Sequence, residues 1–420
     1  MHSGMANDSQ GRTERYRILA ILSFAELLGM ALWFSATAVI PALADEWQLT
    51  DAGKSWLTMS VQIGFVVGAF LSALFNISDL FNARKLFALC AFAGAVFNAA
   101  IGLFAQSIEP ALVLRFLTGV CLAGVYPPGM KIMASWFKEG RGMAIGVLVG
   151  ALTIGSASPH LLKVIGGPDW RALMLLASAS SVLAGILCLT FVHDGPYQAP
   201  AARFDWRYIG RALNDRGVRL ANLGYLGHMW ELYAMWAWIP LFLLASFEVS
   251  GIASPDTWAA VGAFVIIGVG GVGCWLAGVL ADQYGRTTIT IISMLISGAC
   301  CLAVGFLFGQ TPAVLLLVGL VWGFAIVADS AQFSTSITEL SDPAYIGTAL
   351  TLQTSMGFLL TMASIRLIPT LVDWVSWRWA FAFLAIGPFL GALAMWRLKQ
   401  LPVAEKIGGE RKGQKRGDGK

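Results

Sequence analysis

The chain has few charged residues for its length. Asp, Glu, Lys and Arg make up 12% of its 420 residues, whereas 57% of the residues are hydrophobic. A typical soluble domain carries about 25% charged residues, and a soluble fold of this composition would expose large apolar patches. The scarcity of charge therefore argues against a soluble protein and favours one whose surface faces lipid.

Several chemical signals are missing as well. The six cysteines all lie inside apolar runs and form no C-x-x-C pair, and no histidine belongs to an H-E-x-x-H motif. The sequence therefore predicts neither a disulfide framework nor a metal site. It also lacks a nucleophile–base pair on which an enzyme could be built, so we expect no enzyme, no cofactor and no nucleic-acid partner.

Long apolar runs dominate what is present. A run of about 20 residues crosses the hydrocarbon core of a bilayer as a helix, and the absence of two-residue alternation excludes a barrel. Twelve membrane-spanning helices are predicted and are numbered 1 to 12 in chain order. Their predicted ranges are 18–41, 55–77, 85–105, 110–135, 142–165, 171–192, 218–246, 257–281, 287–309, 312–337, 346–371 and 377–398.

Polar segments divide these helices into two bundles. The predicted regions are an N-terminal segment 1–17, a bundle 18–192, a linker 193–217, a second bundle 218–398 and a basic, Gly-rich tail 399–420 without fixed structure. Most Lys and Arg residues lie on one side if both termini are cytoplasmic, which is the orientation that the positive-inside rule favours. Arg12, Arg15 and Arg17 precede an apolar stretch of full spanning length, so we expect no cleaved signal peptide.

The two bundles repeat each other in sequence. A Glu-Leu-x-x-Met-x-x-Trp pattern occurs in helix 1 and again in helix 7, and a Trp-Arg pair opens helices 6 and 12. Residues spaced i, i+4 and i+7 share one helical face, so each repeat is expected to present one stripe to a cavity at the midplane between the repeats. The stripes consist of Glu26, Met30 and Trp33 in helix 1, and of Glu231, Met235 and Trp238 in helix 7.

The loop after helix 8 resembles a family motif. Its residues 278–286, Gly-Val-Leu-Ala-Asp-Gln-Tyr-Gly-Arg, are similar to the G-x-L-x-D-R-x-G-R loop of the major facilitator superfamily, and a degenerate copy follows helix 2. The resemblance covers the spanning region. It implies an all-α integral membrane fold of two parallel six-helix repeats, in which helices 1, 4, 7 and 10 line the cavity. It also implies a gating role for Asp79, Gly278, Asp282, Gly285 and Arg286.

Ionisable groups inside the predicted helices need a reason, because a charge at the bilayer centre costs at least about 2.5–3.5 kcal/mol. Arg115 in helix 4 is expected to reach toward Glu26, an arrangement that resembles proton-coupled drug antiporters of the superfamily. Competition between a proton and the arginine for Glu26 would then couple transport to protons. The partial Gly-rich motif of helix 5 adds little to the antiporter resemblance.

Further candidates lie on the same or neighbouring helices. Tyr126 precedes Pro127 and Pro128, which cannot occupy an undistorted helix, and Gln332 lies on helix 10; both are expected to line the cavity. Lys131 and Asp329 form either an inner gate or two independent interfacial anchors. His160 and Arg366, at the outer ends of helices 5 and 11, form either an outer anion-attracting pair or further anchors.

These features predict a secondary active transporter that moves a small solute across the cell membrane by alternating access, is coupled to protons and acts as a monomer surrounded by lipid. One alternative is an anion or organic-acid carrier that uses the basic residues of helices 4 and 11. Another, from a different class, is a non-transporting receptor or scaffold. Acids and bases are balanced inside the spans, so the charge of the solute stays open.

Overall fold

The computed structural model describes residues 2–75, 77–137, 140–166, 169–197, 210, 214–342 and 345–408. The side chains of residues 2–12, 78, 79, 141 and 166 lie outside this description, as do much of the predicted linker and the end of the predicted tail. The described chain is helical and contains no strand, as the apolar runs predict.

All twelve predicted helices are present. Helices 1, 4 and 10 are divided, and helices 11 and 12 form one stretch that bends at Ser376, where φ is 63° and ψ is 170°. The bounds, in chain order, are His2–Met30 with Ser35–Ala38 and Ile40–Trp47; Asp51–Leu74; Ala83–Phe104; Ile108–Leu122 with Tyr126–Trp136; Arg141–Gly166; Trp170–Phe191; Arg216–Ser250; Pro255–Tyr284; Arg286–Leu307; Pro312–Ala328 with Ser330–Leu340; Ile346–Ala380; and Ile386–Lys399.

Ten helical stretches of the described chain are long and apolar enough to cross a membrane. The last of them, Ile346–Lys399, contains helices 11 and 12. The divided helix 1 is not among the ten, and counting it as a span restores the predicted twelve. The fold class is therefore an all-α membrane fold, as the hydropathy pattern and the repeat indicate.

The divisions in helices 1, 4 and 10 lie near the middle of each span. Helix 1 stops at Met30 and passes through turns at residues 31–34 before a short segment begins at Ser35. Helix 4 stops at Leu122 and restarts at Tyr126, so the two prolines fall in the first turn of a new segment, where they are tolerated. The predicted distortion of helix 4 is confirmed. Divided helices free backbone groups that need other partners.

The two halves, helices 1–6 and helices 7–12, meet along a seam. Helix 5 packs against helix 8 along this seam, and helix 2 packs against helix 11. Glycines permit the first contact: a Cβ atom added at Gly150 would lie 2.8 Å from the carbonyl oxygen of Gly271, and one added at Gly271 would lie 2.8 Å from that of Gly150. In the same stretch of helix 8, Gly270 and Gly273 pack against helix 10.

The turn between helices 8 and 9 is a single glycine. Gly285 has a φ of 94°, a conformation that side-chain-bearing residues rarely adopt, and helix 9 begins at the next residue, Arg286. We call the end of the bundle that carries this turn the inner end and the opposite end, where helices 5 and 8 carry Lys163 and Asp256, the outer end. The turn therefore places Arg286 at the first position of helix 9, at the inner end of the bundle.

The prediction that the tail lacks structure from residue 399 onward is wrong for its first part. Pro402–Lys406 form a 3-10 turn, the side chain of Ile407 is buried, and the Gly408 N–H donates to Glu339 Oε2 at 2.9 Å. Apolar packing and one hydrogen bond to a carboxylate hold this segment against the C-terminal half. The remainder of the predicted tail lies outside the described residues.

Candidate functional site

Arg115 binds the backbone at the division of helix 1. Its Nη1 donates to the carbonyl oxygen of Leu32 at 2.8 Å, its Nη2 donates to that of Trp33, and its Nε donates to that of Leu57 in helix 2 at 3.3 Å. Ser35 Oγ lies 3.3 Å from Nη1. The guanidinium is fully buried. Its planar, multi-donor geometry suits several acceptors at once, so one side chain satisfies carbonyls that the broken helix leaves free.

Glu26 is buried without a partner. Neither carboxylate oxygen has a hydrogen-bond partner in the described part of the chain. A Cβ atom added at Gly129 of helix 4 would lie 2.8 Å from Glu26 Oε2, so the carboxyl group occupies space that only a glycine leaves open. The predicted contact between Glu26 and Arg115 is wrong, because the donors of Arg115 are taken by the carbonyls freed at the division of helix 1.

Glu231, the repeat partner of Glu26, has a different environment. It accepts hydrogen bonds from Ser297 Oγ at 2.6 Å, Cys301 Sγ at 2.9 Å and Trp322 Nε1 at 2.5 Å. All three donors belong to helices 9 and 10 of the same half. Glu231 therefore lies inside the C-terminal bundle, and three donors hold its carboxylate in place.

The two stripes predicted as matching cavity walls diverge in the structure. Trp238 donates to the carbonyl oxygen of Ile365 at 3.0 Å and packs near Trp377, inside the C-terminal half. Met30 and Met235 are buried in the apolar core. Trp33 alone among the six forms ring contacts across the seam. Helix 1 unwinds after Met30, which turns Trp33 away from the regular helical face, whereas helix 7 continues unbroken.

Aromatic rings fill the middle of the seam. We name this group the central aromatic cluster; it consists of Trp33, Phe34 and Phe65 from the N-terminal half, and of Tyr233, Trp236 and Phe358 from the C-terminal half. The centroid of the Trp33 ring lies 5.7 Å from that of Tyr233 and 5.6 Å from that of Phe358. The rings of Phe65 and Phe358 are 5.0 Å apart. These separations are typical of favourable aromatic pairs.

A polar pair joins the halves beside this cluster. Thr361 Oγ1 of helix 11 donates to Gln62 Oε1 of helix 2 at 2.8 Å. Gln62 precedes Phe65 by three residues, and Thr361 follows Phe358 by three, so the pair lies about one helical turn from the ring contact. Sequence reasoning missed the pair and most of the cluster, because single aromatic and amide residues are common in spans and carry no periodic signal.

Arg286 organises the inner end. It binds Glu339 through Nε at 3.0 Å, Gln332 Oε1 through Nη1 at 2.8 Å, and lies 3.4 Å from Asp282 Oδ1. Gln332 therefore belongs to this inner network, and its predicted place in the central cavity is wrong. Gln332 is bound there because Glu339 and Asp282 engage Nε and Nη2 and leave Nη1 of Arg286 to donate to the amide oxygen.

Asp282 lies across the seam from helix 5. A Cβ atom added at Gly142, the second residue of helix 5, would lie 3.3 Å from Asp282 Oδ2. The carboxylate thus faces the N-terminal end of a helix from the other half, where the helix dipole stabilises negative charge. A Cβ atom at Gly278 would lie 3.4 Å from the Gly142 carbonyl oxygen. The side chain of the degenerate copy, Asp79, is outside the described residues.

Asp329 does not pair with Lys131. His228 Nδ1 of helix 7 lies 2.8 Å from Asp329 Oδ1, and both side chains are buried. The side chain of Lys131 is exposed near the inner end. The hypothesis of an inner gate formed by Asp329 and Lys131 is therefore wrong, because the division of helix 10 places the aspartate against helix 7. Tyr126 is partly buried at the restart of helix 4.

The outer basic residues occupy different environments. His160 is buried, and its Nε2 has no partner in the described chain, whereas Arg366 is exposed. The structure therefore gives no support to an outer anion-attracting pair. Instead, Lys163 Nζ of helix 5 contacts Asp256 Oδ1 of helix 8 at 2.6 Å and joins the two halves at the outer end.

A second outer contact stays within one half. Glu46 binds Arg171 through its two oxygens at 2.6 and 3.2 Å, and Trp170 Nε1 donates to it at 2.7 Å. The hydrogen bond from Arg171, followed by that from Trp170, lowers the pKa of the Glu46 carboxyl group. Glu46 lies just beyond the membrane-spanning part of helix 1 and fixes its outer end to helix 6.

The family model described as the Major Facilitator Superfamily matches residues 22–365 and 276–417. The chain belongs to this superfamily. Solved structures with a similar fold include that of the nucleoside transporter NupG. It aligns with a TM-score of 0.69 at 15% identity, over 92% of this chain and 99% of that one. A bacterial homologue of the human lysosomal transporter Spinster aligns with a TM-score of 0.65 at 15% identity, over 96% and 98%.

Curated superfamily transporters are similar in sequence. The hexuronate transporter of Escherichia coli K12 is 24% identical over 94% of this chain and 96% of its own length. The 4-hydroxybenzoate transporter PcaK of Pseudomonas putida is 26% identical over 67% and 69%. The putative niacin/nicotinamide transporter NiaP of Bacillus subtilis is 25% identical over 49% of this chain, which spans 53% of that relative. The relatives carry small solutes, several of them organic acids.

Proposed function

We propose that this superfamily member is a secondary active transporter that moves a small organic solute by alternating access and couples the movement to protons through Glu26. It acts as a monomer in the cell membrane, with both termini in the cytoplasm. The seam between the halves is the pathway. Contacts at its outer end, its centre and its inner end would then open in turn as one half rocks against the other.

The unpartnered carboxyl group of Glu26 carries the proposal of proton coupling. A buried charge without a partner is costly, and protonation removes that cost. The group lies beside the restart of helix 4, where the helix is divided into two segments. Its repeat partner Glu231 is held by three donors. We therefore propose Glu231 as a structural hydrogen-bond acceptor and assign proton coupling to Glu26 alone.

An organic-acid carrier is the second candidate, and one observation favours it. Arg115 is buried near the centre, and no carboxylate pairs with it in the described part of the chain. The positive charge of its guanidinium is therefore not compensated by an acid. The similarity to transporters of hexuronate and 4-hydroxybenzoate points in the same direction. Arg366 is exposed, so we do not include it among the residues that would bind the organic acid.

Proton flux in proteoliposomes tests the coupling. A trapped pH-sensitive dye reports proton movement when glucuronate, nicotinate or 4-hydroxybenzoate is added outside. We expect solute-driven proton flux for the unmodified protein, at least a tenfold loss for Glu26→Gln with solute exchange retained, and little change for the matched control Glu231→Gln. Undiminished proton flux in Glu26→Gln would contradict the coupling role.

A further inference from the structure

Three buried hydrogen-bond donors lack partners at the centre of the seam. They are Nε1 of Trp33, Nε1 of Trp236 and Nε2 of Gln62. Buried indole N–H groups ordinarily find an acceptor, and an unsatisfied buried polar group in a native fold calls for an explanation. Gln62 Oε1 is already occupied by Thr361. All three unpartnered groups are N–H donors, so a ligand that satisfies them must supply hydrogen-bond acceptors.

The three donors come from both sides of the seam. Trp33 and Gln62 belong to the N-terminal half, whereas Trp236 belongs to the C-terminal half, where its ring contacts Phe34 at 5.9 Å between centroids. A ligand that accepts from all three would therefore bridge the halves. Such a bridge is what alternating access requires of a substrate, because the site must be reached from either side.

The charge at the centre favours an anion. Arg115 donates to the carbonyl oxygen of Trp33 itself, so its positive charge lies against the backbone of a residue that carries one of the free donors. No described carboxylate is paired with it. In a site of low dielectric constant an uncompensated cation attracts an anion strongly and repels a second cation.

The surroundings favour a flat ring. The two halves meet here ring against ring, as in the Trp33–Tyr233 and Phe65–Phe358 pairs. A solute that separates these rings must restore comparable contacts, and an aromatic face does so. A sugar acid fits less well, because its puckered ring has no aromatic face with which to restore the ring contacts.

We propose that the central aromatic cluster, together with Gln62, forms the binding site for a small aromatic carboxylate. The ring of the ligand lies between the rings of the two halves, and its carboxylate accepts from the indole N–H groups and the Gln62 amide. Arg115 acts as a positioning residue that holds the Trp33 segment and supplies the positive field. The inference rests on the proposed function as a transporter and specifies its solute.

Direct binding to the purified full-length protein tests the site. Benzoate is the probe, cyclohexanecarboxylate has the same charge without an aromatic face, and benzylamine has the opposite charge. We expect benzoate to bind at least tenfold more tightly than cyclohexanecarboxylate and benzylamine not to compete. Loss of one hydrogen bond to a charged group is worth about a tenfold change in Kd, which is the change expected for Trp33→Phe and for Trp236→Phe.

Trp230→Phe is the matched control. The indole N–H of Trp230 also lacks a partner, but its ring packs against Gly387 of helix 12, away from the cluster. Its removal should leave the benzoate Kd unchanged. Gln62→Leu, which leaves every ring in place, should weaken benzoate about as much as Trp236→Phe does. Thermal unfolding of each variant shows that it is folded.

The outcomes separate the site from the transport function. Failure of benzoate to bind, or binding that Trp33→Phe, Trp236→Phe and Gln62→Leu all leave unchanged, overturns the proposed site. If glucuronate drives proton flux in either of those cases, the transport function stands without it. Benzoate binding with the expected variant pattern but no proton flux for any solute would support the site and overturn proton-coupled transport.

Discussion

Arg115 illustrates how a buried charge is accommodated mainly by backbone carbonyl groups, with one serine hydroxyl and no acid from the described part of the chain. The sequence marks Arg115 as unusual because it lies in an apolar span, and the obvious partner is an acid. The structure instead gives it the carbonyl oxygens of Leu32, Trp33 and Leu57. Sequence reasoning missed this because the residues at the division of helix 1, Ala-Leu-Trp-Phe, contain no glycine or proline that would announce a break.

Arg115→Met should destabilise the protein strongly. The variant removes the guanidinium donors of three buried carbonyl oxygens, of which that of Leu32 keeps the Ser35 hydroxyl and that of Leu57 lies inside the regular helix 2. The carbonyl oxygen of Trp33 loses its donor, and an unsatisfied buried acceptor costs about 1–3 kcal/mol, offset in part by removal of the buried charge. Thermal unfolding in detergent measures the effect. The control Arg366→Met removes an exposed arginine and should change stability by less than about 0.5 kcal/mol. Equal effects of the two substitutions would contradict the assigned role of Arg115.

At the scale of helices, the glycines of the helix 5–helix 8 contact decide how closely the halves approach. Gly150 and Gly271 face each other with backbone on both sides, so an added methyl group must push the helices apart. Gly268, on the same helix as Gly271, has open space where its side chain would be. The two kinds of glycine cannot be distinguished in the sequence, where both belong to one run.

Gly150→Ala and Gly268→Ala should therefore have opposite effects. Gly150→Ala separates helices 5 and 8 and should lower both the Tm and the transport rate, the latter several-fold. Gly268→Ala meets nothing and gains helix propensity, which stabilises the fold by about 0.5–1 kcal/mol. Thermal unfolding and solute uptake in proteoliposomes measure the pair. A loss of stability in Gly268→Ala comparable to that in Gly150→Ala would contradict this account.

The number and type of the helices could be predicted from hydropathy, because a 20-residue apolar run has few alternatives in a membrane. The division of helix 4 could also be predicted, since Pro127 and Pro128 exclude a regular helix. The divisions at residues 31–34 and at Asp329 could not, because tertiary contacts with Arg115 and His228 accompany them. Those divisions in turn decide which predicted site residues meet.

For the whole molecule, the seam is joined at both ends. The inner contact is Asp282 against the start of helix 5, and the outer contact is the ion pair of Lys163 with Asp256. With the ring contacts between them, the halves touch over the length of the seam. The loop motif marked Asp282 as a residue of interest, but no sequence pattern indicated Lys163 and Asp256 as partners, since they lie in different halves.

Asp282→Asn should loosen the inner end selectively. Loss of a carboxylate at a helix N-terminus is worth about 1 kcal/mol, or roughly a fivefold change in local opening. Hydrogen–deuterium exchange should therefore rise at the inner ends of helices 5 and 8 and stay unchanged at their outer ends. Asp256→Asn is the matched control and should give the reverse pattern. Exchange that rises equally at both ends in either variant would refute separate inner and outer contacts.

The partners of Arg115 also bear on how the protein is made. All the carbonyl groups that it binds belong to helices 1 and 2, which leave the ribosome before helix 4. When the charged helix enters the bilayer, its acceptors are already there, and nothing from the second half is needed to neutralise the cost of insertion. Helices 1 and 2 are thus synthesised before Arg115, the residue that needs their carbonyl groups as acceptors.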